Sequence, residues 1–377
     1  MPNTSHKIEV VPERVKRIIY DSIKRIAFRH NGIIFGGFVR DEIISEHYTK
    51  LYIEGPNSVK QFWDTSFSPE TKARTLNAED MDVCFHDDND ATAFIKNVVE
   101  RIEYKTKNAF EYTNEELINT HIYGLSFTNS IRSVRRLTFN MKLGMIPWLY
   151  SGIDLTISID VVMTYNPKLL PPFNNLDFLC NAFIMTKHGR LLSTCTGTNI
   201  DRMTELARSK ISTQIIGDII NFKTDFCMGQ RATLCSSGTF KYNKYAFKRI
   251  DKLLTKELGW HINNLPFSIH RPTEQCPTND DKNADVDSCC ICCCDFQDIN
   301  DMKIVTYLCN KGSKTRSSVL HYKCLSLYIQ NQIVEREESD EDVANEFTFI
   351  CPYRNPINLL NAAKTSKDII LKYAGVL

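Results

Sequence analysis

"IIFGGFVRDEI", residues 33–43, decides how the first half of this chain is read. It sets an apolar strand-like run, Ile33 to Phe35, directly before two adjacent glycines, and a helix-like run carrying Val39, Ile43 and Ile44 directly after them. Paired glycines at such a junction have two uses. A tight turn needs residues that tolerate positive φ, and bare backbone lets phosphates approach the start of a helix. The stretch by itself leaves both open.

Working outward, residues 12–30 read as a helix. Val15, Ile18, Ile19, Ile23 and Ile26 form an apolar stripe, with Lys16, Arg17, Lys24 and Arg25 outside it and Asn31-Gly32 closing it. "MDVCF" (81–85) is a strand candidate, followed by a helix from about "DDND". "RRLTFNMKL" and "DLTISIDVVM" are further strands. In the second, Asp154, Thr156, Ser158 and Asp160 share one face, and Leu155, Ile157 and Ile159 the other. From about 176 to 262 the pattern turns helical. "RPTEQCPTNDDKNADVDS" is polar and aperiodic and reads as a linker, while "EREESDED" reads as a solvated acidic loop. A short amphipathic helix is expected to end the chain.

The totals bound the answer. A chain of 377 residues suits two or three domains, and 42% hydrophobic with 24% charged residues is ordinary for a folded protein. A formal charge of +1 gives no global field for nucleic acid, so such binding would need local patches. No apolar run approaches a membrane span, and "MPNTSHKIEV" lacks the pattern of a signal peptide. The expectation is a soluble, cytoplasmic protein in a reducing compartment, without a membrane partner.

Of fourteen cysteines, nine fall between Cys276 and Cys351. Without a secretion signal, crowded cysteines point to metal rather than to disulfides. The scattered Cys84, Cys180, Cys195, Cys227 and Cys235 read as buried apolar thiols.

"AEDMDVCF" (78–85) places Asp80 and Asp82 two apart, so on a strand they project from one face. Two carboxylates pointing together repel unless a cation neutralises them. Asp160, on the polar face of a neighbouring strand, offers a third. Three aspartates can hold two Mg²⁺ ions about 3.5–4 Å apart, the clamp for in-line attack at phosphorus. Mg²⁺ suits the task because it prefers oxygen ligands and shares itself with phosphates.

"GGFVRDEI" followed by "DMDV" resembles the opening motifs of the polymerase-β-like nucleotidyltransferases. The branch it is most similar to is that of tRNA nucleotidyltransferases and bacterial poly(A) polymerases, with their G-G-x-V-R-D motif. "NLDFLCNAF" (175–183) resembles that branch's R-R-D-F-T-I-N-A block through Asp177, Phe178, Asn181 and Ala182. The resemblance covers about 30 to 190. It implies that Gly36 and Gly37 cradle the triphosphate, with Arg40 near the phosphates and Asp41 near the nucleotide. It further implies that Asp177 and Asn181 help hold the nucleotide around its sugar. Asp80 and Asp82 would bind the metals, and Asp160 would help ionise the attacking hydroxyl. Three departures are visible. Residues 45–78 look like an insertion between G-G and D-x-D, Asn175 and Leu176 replace two arginines, and no E-D-x-x-R is present. A CCA-adding enzyme is therefore not the expectation.

"SCCICCCDF" (288–296) offers two overlapping C-x2-C pairs, Cys290 with Cys293 and Cys289 with Cys292; "LHYKCLSLYI" adds His321-x2-Cys324. Two residues between cysteines form the knuckle that aims both sulfurs at one tetrahedral zinc. The order resembles a RING finger, "CPYRNPI" standing where that family ends in C-P-x-C-R-x-P-I. The expected site is Cys290, Cys293, His321 and Cys324, with the Cys289/Cys292 register as alternative. A second zinc would draw on Cys309 and Cys351, and Cys294 could join it. RING resemblance implies a ubiquitin-conjugating-enzyme partner. A transferase head with a RING-like tail resembles proteins of large DNA viruses.

The fold expectation is α+β: a mixed-sheet nucleotidyltransferase domain (1–175), a helical substrate-binding region (176–265), a linker (266–288), a zinc-stabilised RING-like module (289–360) and a terminal helix (361–377). The functional expectation is Mg²⁺-dependent transfer of a nucleotide from an NTP to a hydroxyl, foremost an RNA 3′ end. "RSVRRLTFNMK", with Arg132, Arg135, Arg136 and Lys142, reads as a solvated strand face before it reads as a nucleic-acid contact. The alternatives are a ubiquitin-ligase-like adaptor keeping the transferase fold as scaffold, or nucleotide transfer to a protein or small molecule.

Overall fold

The structure, a computed structural model, describes residues 10–54, 80–116, 131–141, 155–164, 170–171, 176–193, 205–228, 239–254, 260–265, 267–270, 288–295, 304–311, 314–338, 349–350, 352, 356–357, 359 and 364–365. The chain is α+β and divides into two units, residues 1–176 with 180–220, and residues 177–179 with 221–377.

The first unit is built on strands β1 (Ile33–Phe35), β2 (Asp80–Phe85), β3 (Phe110–Glu116), β4 (Ile131–Met141), β5 (Thr156–Thr164), β6 (Phe183–Thr186) and β7 (Gly189–Leu192). They form one mixed sheet in the order β3-β4-β5-β2-β1-β6-β7. Only β2 and β5 run parallel; the other neighbours are antiparallel. A parallel pair needs a long crossover, and the helix α3 (Asp88–Thr106) with β3 and β4 supplies it.

Register divides the sheet into two faces. Met81, Val83 and Phe85 of β2 share a face with Ile157, Ile159 and Val161 of β5 and with Leu137 and Phe139 of β4. All of these are buried. Phe85 meets Phe94 of α3 at a ring separation of 5.0 Å. Burying rings of this size stabilises by roughly 1.5–3 kcal/mol each. On the opposite face Ile33, Phe35, Cys84, Ile131, Val134, Val162 and Ile184 form an apolar cluster. Farther along the same strands that face becomes polar, through Asp80, Asp82, Asp160 and Arg136.

Helix α1 (Val10–Arg29) buries Ile19, Tyr20, Ile23, Ile26 and Ala27. Ile18, expected in that stripe, is 57% exposed: at 100° per residue it falls on the far side of Ile19 from Tyr20 and Ile23. Helix α2 (Gly37–Glu54) follows the glycines and runs through the start of the expected 45–78 insertion; residues 55–79 lie outside the described residues. Helix α3 is capped by Asp87, whose carboxylate accepts from the N–H groups of Asn89 and Asp90 at 2.8 and 3.1 Å. That satisfies two donors that a helix start leaves open. Helix α4 (Glu205–Ile220) buries Ile211, Ile215 and Ile219, and its last carbonyl accepts from Tyr48 Oη of α2 at 2.7 Å.

The second unit holds β8 (Lys223–Asp225), β9 (Cys227–Met228), helix α5 (Thr239–Leu254), β10 (His261–Asn263), β11 (Ser268–His270), β12 (Ile304–Lys311), β13 (Lys314–His321), helix α6 (Tyr322–Glu338), β14 (Phe349–Ile350), β15 (Pro356–Ile357) and β16 (Lys364–Thr365). β11, β12 and β13 make an antiparallel sheet. The stretch expected to be helical between 176 and 265 carries β6 to β10 as well as α4 and α5, and the unit boundary passes through it at 220/221. Within the expected linker, Ser268–His270 form β11, which pairs with β12. Most of the expected terminal helix lies outside the described residues, and Lys364–Thr365 is a strand.

Helix α5 organises this unit through one face. Asn243 accepts from the backbone N–H of Leu359 at 3.0 Å, and Phe247 packs on Phe349 with centroids 5.6 Å apart. One turn on, the Asp251 carboxylate accepts from Tyr322 Oη and Ser326 Oγ, both at 2.8 Å, and from Gln330 Nε2 at 3.4 Å. Those donors are four residues apart and so share one face of α6.

Candidate functional site

The acids and glycines of the first unit meet at the polar end of its sheet. Parallel pairing puts Asp82 directly beside Asp160, and Asp80 beside Ser158. Phe35 is the antiparallel partner of Asp82 on the other side, so the chain turns through Gly36 right above that carboxylate. Gly36 has φ +75°, and a Cβ there would stand 2.8 Å from Asp82 Oδ2. Both reasons for glycine hold at this position: the left-handed backbone and the close approach. At Gly37 a Cβ would lie 3.3 Å from Arg40 Nη2, because the guanidinium folds back over the first turn of α2.

Arg40 is buried. It donates through Nε and Nη2 to Asp41 Oδ1, both at 2.7 Å, and through Nη1 to Asn181 Oδ1 at 3.3 Å. Burial opposes its charge, but Asp41, with Cys180 and Asp80, outweighs it and raises its pKa. The two blocks "GGFVRD" and "NAF" therefore meet through Arg40 and Asn181.

Asp160 is buried and gripped by Arg136, Nε to Oδ1 and Nη2 to Oδ2, each at 2.8 Å. Arg136, expected first on a solvated face, is instead the register partner of Asp160. Arg132 does lie on the surface, paired with Asp88 at 2.7 Å. Lys142 lies outside the described residues. The three aspartates share a face, with Asp80 exposed, Asp82 half-buried and Asp160 buried. Their oxygens are not drawn into one metal-sized group, because the one set of three or more ligand atoms within 4.8 Å among the described residues is elsewhere. For a divalent cation the fit is thus partial: a same-face Asp pair beside a glycine turn, and a third carboxylate already neutralised.

Asp177 belongs to the second unit. Its Oδ2 accepts from Arg249 Nε of α5 at 3.1 Å, and its carbonyl from the Cys227 N–H at 2.7 Å.

The metal-sized group is Cys289, Cys292, His321 and Cys324, whose ligand atoms all lie within 4.8 Å of one another. It could hold a metal ion such as zinc. This corrects the register: Cys290 and Cys293 are exposed and stand outside the group. The knuckle turns through Cys293, at φ +57°, with the Cys293 N–H donating to the Cys289 carbonyl at 2.8 Å. The N–H groups of Ile291 and His321 point at Cys289 Sγ, each at 3.5 Å. His321 Nδ1 lies 3.3 Å from Cys292 Sγ and 3.9 Å from Cys324 Sγ. β13 delivers His321 and the first turn of α6 delivers Cys324.

Cys292 and Cys324 are shifted in opposite directions. A backbone hydrogen bond from Cys294 brings Cys292 down to about 6, with His321, Cys289 and Cys324 adding to it. Burial, then Cys292 and Cys289, push Cys324 up to about 12. The lowered Cys292 and the raised Cys324 act on each other, and a bound cation would favour thiolate at its ligands. Cys294 is held up by Cys292 and is not in the group. The Cys309 side chain and the whole of Cys351, the other expected second-site ligands, lie outside the described residues. Of the scattered cysteines, Cys84, Cys180 and Cys227 are buried, as expected, while Cys195 and Cys235 lie outside the described residues.

The roles of Arg136, Arg249 and Asp251 escaped the sequence reading. For Asp251 a signal exists, the polar stripe Tyr322, Ser326 and Gln330 along α6. For Arg136 only strand register reveals its partner. Comparisons with protein-family models, with curated proteins and with solved structures return no match. Among the described residues no helix is long and apolar enough to cross a membrane.

Proposed function

We propose that the first unit is a nucleotidyltransferase head that moves a nucleotide from an NTP to a hydroxyl acceptor, foremost an RNA 3′ end. The observation that carries this reading is Asp82: it stands in register with Asp160 and directly under the positive-φ Gly36. A surface acid has no need of such a glycine. Mg²⁺ bound at Asp80 and Asp82 would supply the positive charge that in-line displacement at phosphorus requires. Gly36 and Gly37 leave bare backbone at the start of α2 for phosphate oxygens. Arg40, locked by Asp41 and Asn181, holds the turn in shape, and Asp160, the register partner of Asp82, would take the acceptor's proton.

For the second unit we propose one structural zinc at Cys289, Cys292, His321 and Cys324, fastening the knuckle to the start of α6. Thiolate-imidazole sets of this kind favour zinc.

The test is incubation with each labelled NTP, Mg²⁺ and an RNA primer. Extension by the wild type and none by Asp80→Ala/Asp82→Ala is expected. Equal behaviour of the two would remove the reading. Label appearing on the protein itself would redirect it to a protein acceptor.

A further inference from the structure

The thiol-imidazole group of the second unit is open on one side. Cys289 and His321 are buried and Cys324 is half-buried, but Cys292 is exposed. Structural zinc sites are closed tetrahedral sets, so an exposed ligand marks the edge by which an ion would enter and leave. A further thiol stands at that edge. Cys294 is exposed, and its Sγ donates to the Cys292 carbonyl at 3.5 Å. Backbone pairing keeps it there: the Cys289 N–H donates to the Cys294 carbonyl at 2.9 Å, and Ser288 bridges to Asp295 one residue farther out. The Cys294 backbone is therefore tied to the buried ligand, and its sulfur to the exposed one. It stands beside the group of four without belonging to it.

We propose that Cys294 is an exchange thiol: it displaces Cys292 from a bound zinc ion and so lets the ion pass through the exposed edge to an external thiol or chelating acceptor. This rests on the zinc reading of the second unit and is independent of the reading of the first. Cys292 is the ligand to leave, because Cys289 is buried and faces the N–H groups of Ile291 and His321. In the exchange a Zn–S bond to Cys294 forms and the one to Cys292 breaks. The proton given up by the Cys294 thiol passes through solvent to Cys292. No electron moves, since zinc has no redox chemistry. The ion suits the exchange, because its d electrons prefer no one geometry and it accepts a fifth ligand in passing. A thiol on the same loop also meets the ion at a far higher effective concentration than one in solution.

The test is zinc transfer from the full, zinc-loaded chain to the chromogenic chelator 4-(2-pyridylazo)resorcinol, followed by absorbance over a range of chelator concentrations. The wild-type rate should level off at high chelator, because the internal swap then becomes the slow step. Cys294→Ser should transfer zinc about tenfold more slowly, at a rate that keeps rising with chelator. Its zinc content and its equilibrium zinc affinity should match the wild type, since the swap acts on the path and not on its end. Cys290→Ser/Cys293→Ser should transfer zinc as the wild type does. If Cys294→Ser does not fold by circular dichroism, Cys294→Ala carries the same comparison. Transfer at or above the wild-type rate by the Cys294 variant overturns the proposal. So does a slower rate that comes with an altered affinity, which makes Cys294 a support of the knuckle and no more. A wild type that binds no zinc, or only as much as Cys289→Ser, removes the zinc reading itself and this proposal with it.

Discussion

Arg40 and Asn181 are 141 positions apart in sequence and joined by a hydrogen bond of 3.3 Å. The same guanidinium clasps Asp41, so one buried cation ties the start of α2 to the turn that precedes β6. Arg40→Met should therefore remove the cation that faces the buried Asp41 carboxylate. The expected loss is about 3–5 kcal/mol of stability, read from urea unfolding. Asn181→Ala, which leaves the ion pair whole, should cost less than half of that.

Gly36→Ala adds a methyl at positive φ and sets it 2.8 Å from Asp82 Oδ2. Strain and displacement together should cost roughly 1–3 kcal/mol. If the acid site works as proposed, nucleotide transfer should fall further than stability does. Gly37→Ala, whose Cβ would be 3.3 Å from a flexible guanidinium end, should be milder. Equal effects of the two would count against a special role for Gly36.

The metal register is decided by four single substitutions. Cys289→Ser and Cys292→Ser should abolish or strongly weaken zinc binding, while Cys290→Ser and Cys293→Ser should retain one ion per chain by mass spectrometry of the metal. Loss of zinc in the second pair alone would restore the other register.

Cys292 gives a pH signature in metal-free protein. Its pKa is lowered from an ordinary 9.0 to about 6, so its thiolate is present across neutral pH. The stabilisation that goes with this depressed value is complete above the ordinary pKa and is lost as pH falls through about 6. Alkylation by iodoacetamide should therefore reach Cys292 first at pH 7 and fade with a midpoint near 6, while Cys324, held up at about 12, stays unreactive. Zinc should protect both, which peptide mapping would reveal.

Asp251 binds α6 to α5 through three donors. Asp251→Ala leaves the buried Tyr322 hydroxyl without that acceptor, and about 2–3 kcal/mol of stability should go with it. Because Tyr322 lies between His321 and Cys324, zinc should also dissociate faster on addition of a chelator. An unchanged chelation rate would separate the two features.

Much of the first unit was legible in advance. β1, β2 and β5 stand where short apolar runs and, for β5, clean alternation put them, and the glycines sit at the turn between strand and helix. Those features depend on residues within a few positions of one another, and periodicity records such relations directly. The reading went astray where one position looked equivalent to its neighbour. Ile18 is as apolar as Ile19 but faces solvent, and Cys290 is as good a ligand as Cys289 but misses the group by one residue. In a tight turn a shift of one residue points the side chain elsewhere, and composition carries no trace of it.

The sequence by itself determined the α+β make-up, the glycine turn, the acid pair two apart on a strand and the presence of a thiol-imidazole set. Tertiary structure alone decided that Asp160 is held by Arg136, that Cys289 rather than Cys290 joins His321, and that Asp251 anchors α6. Each of these is a pairing between distant segments, fixed by strand register and helix packing. Such pairings are chosen by the summed burial of whole faces, which no short stretch of sequence contains.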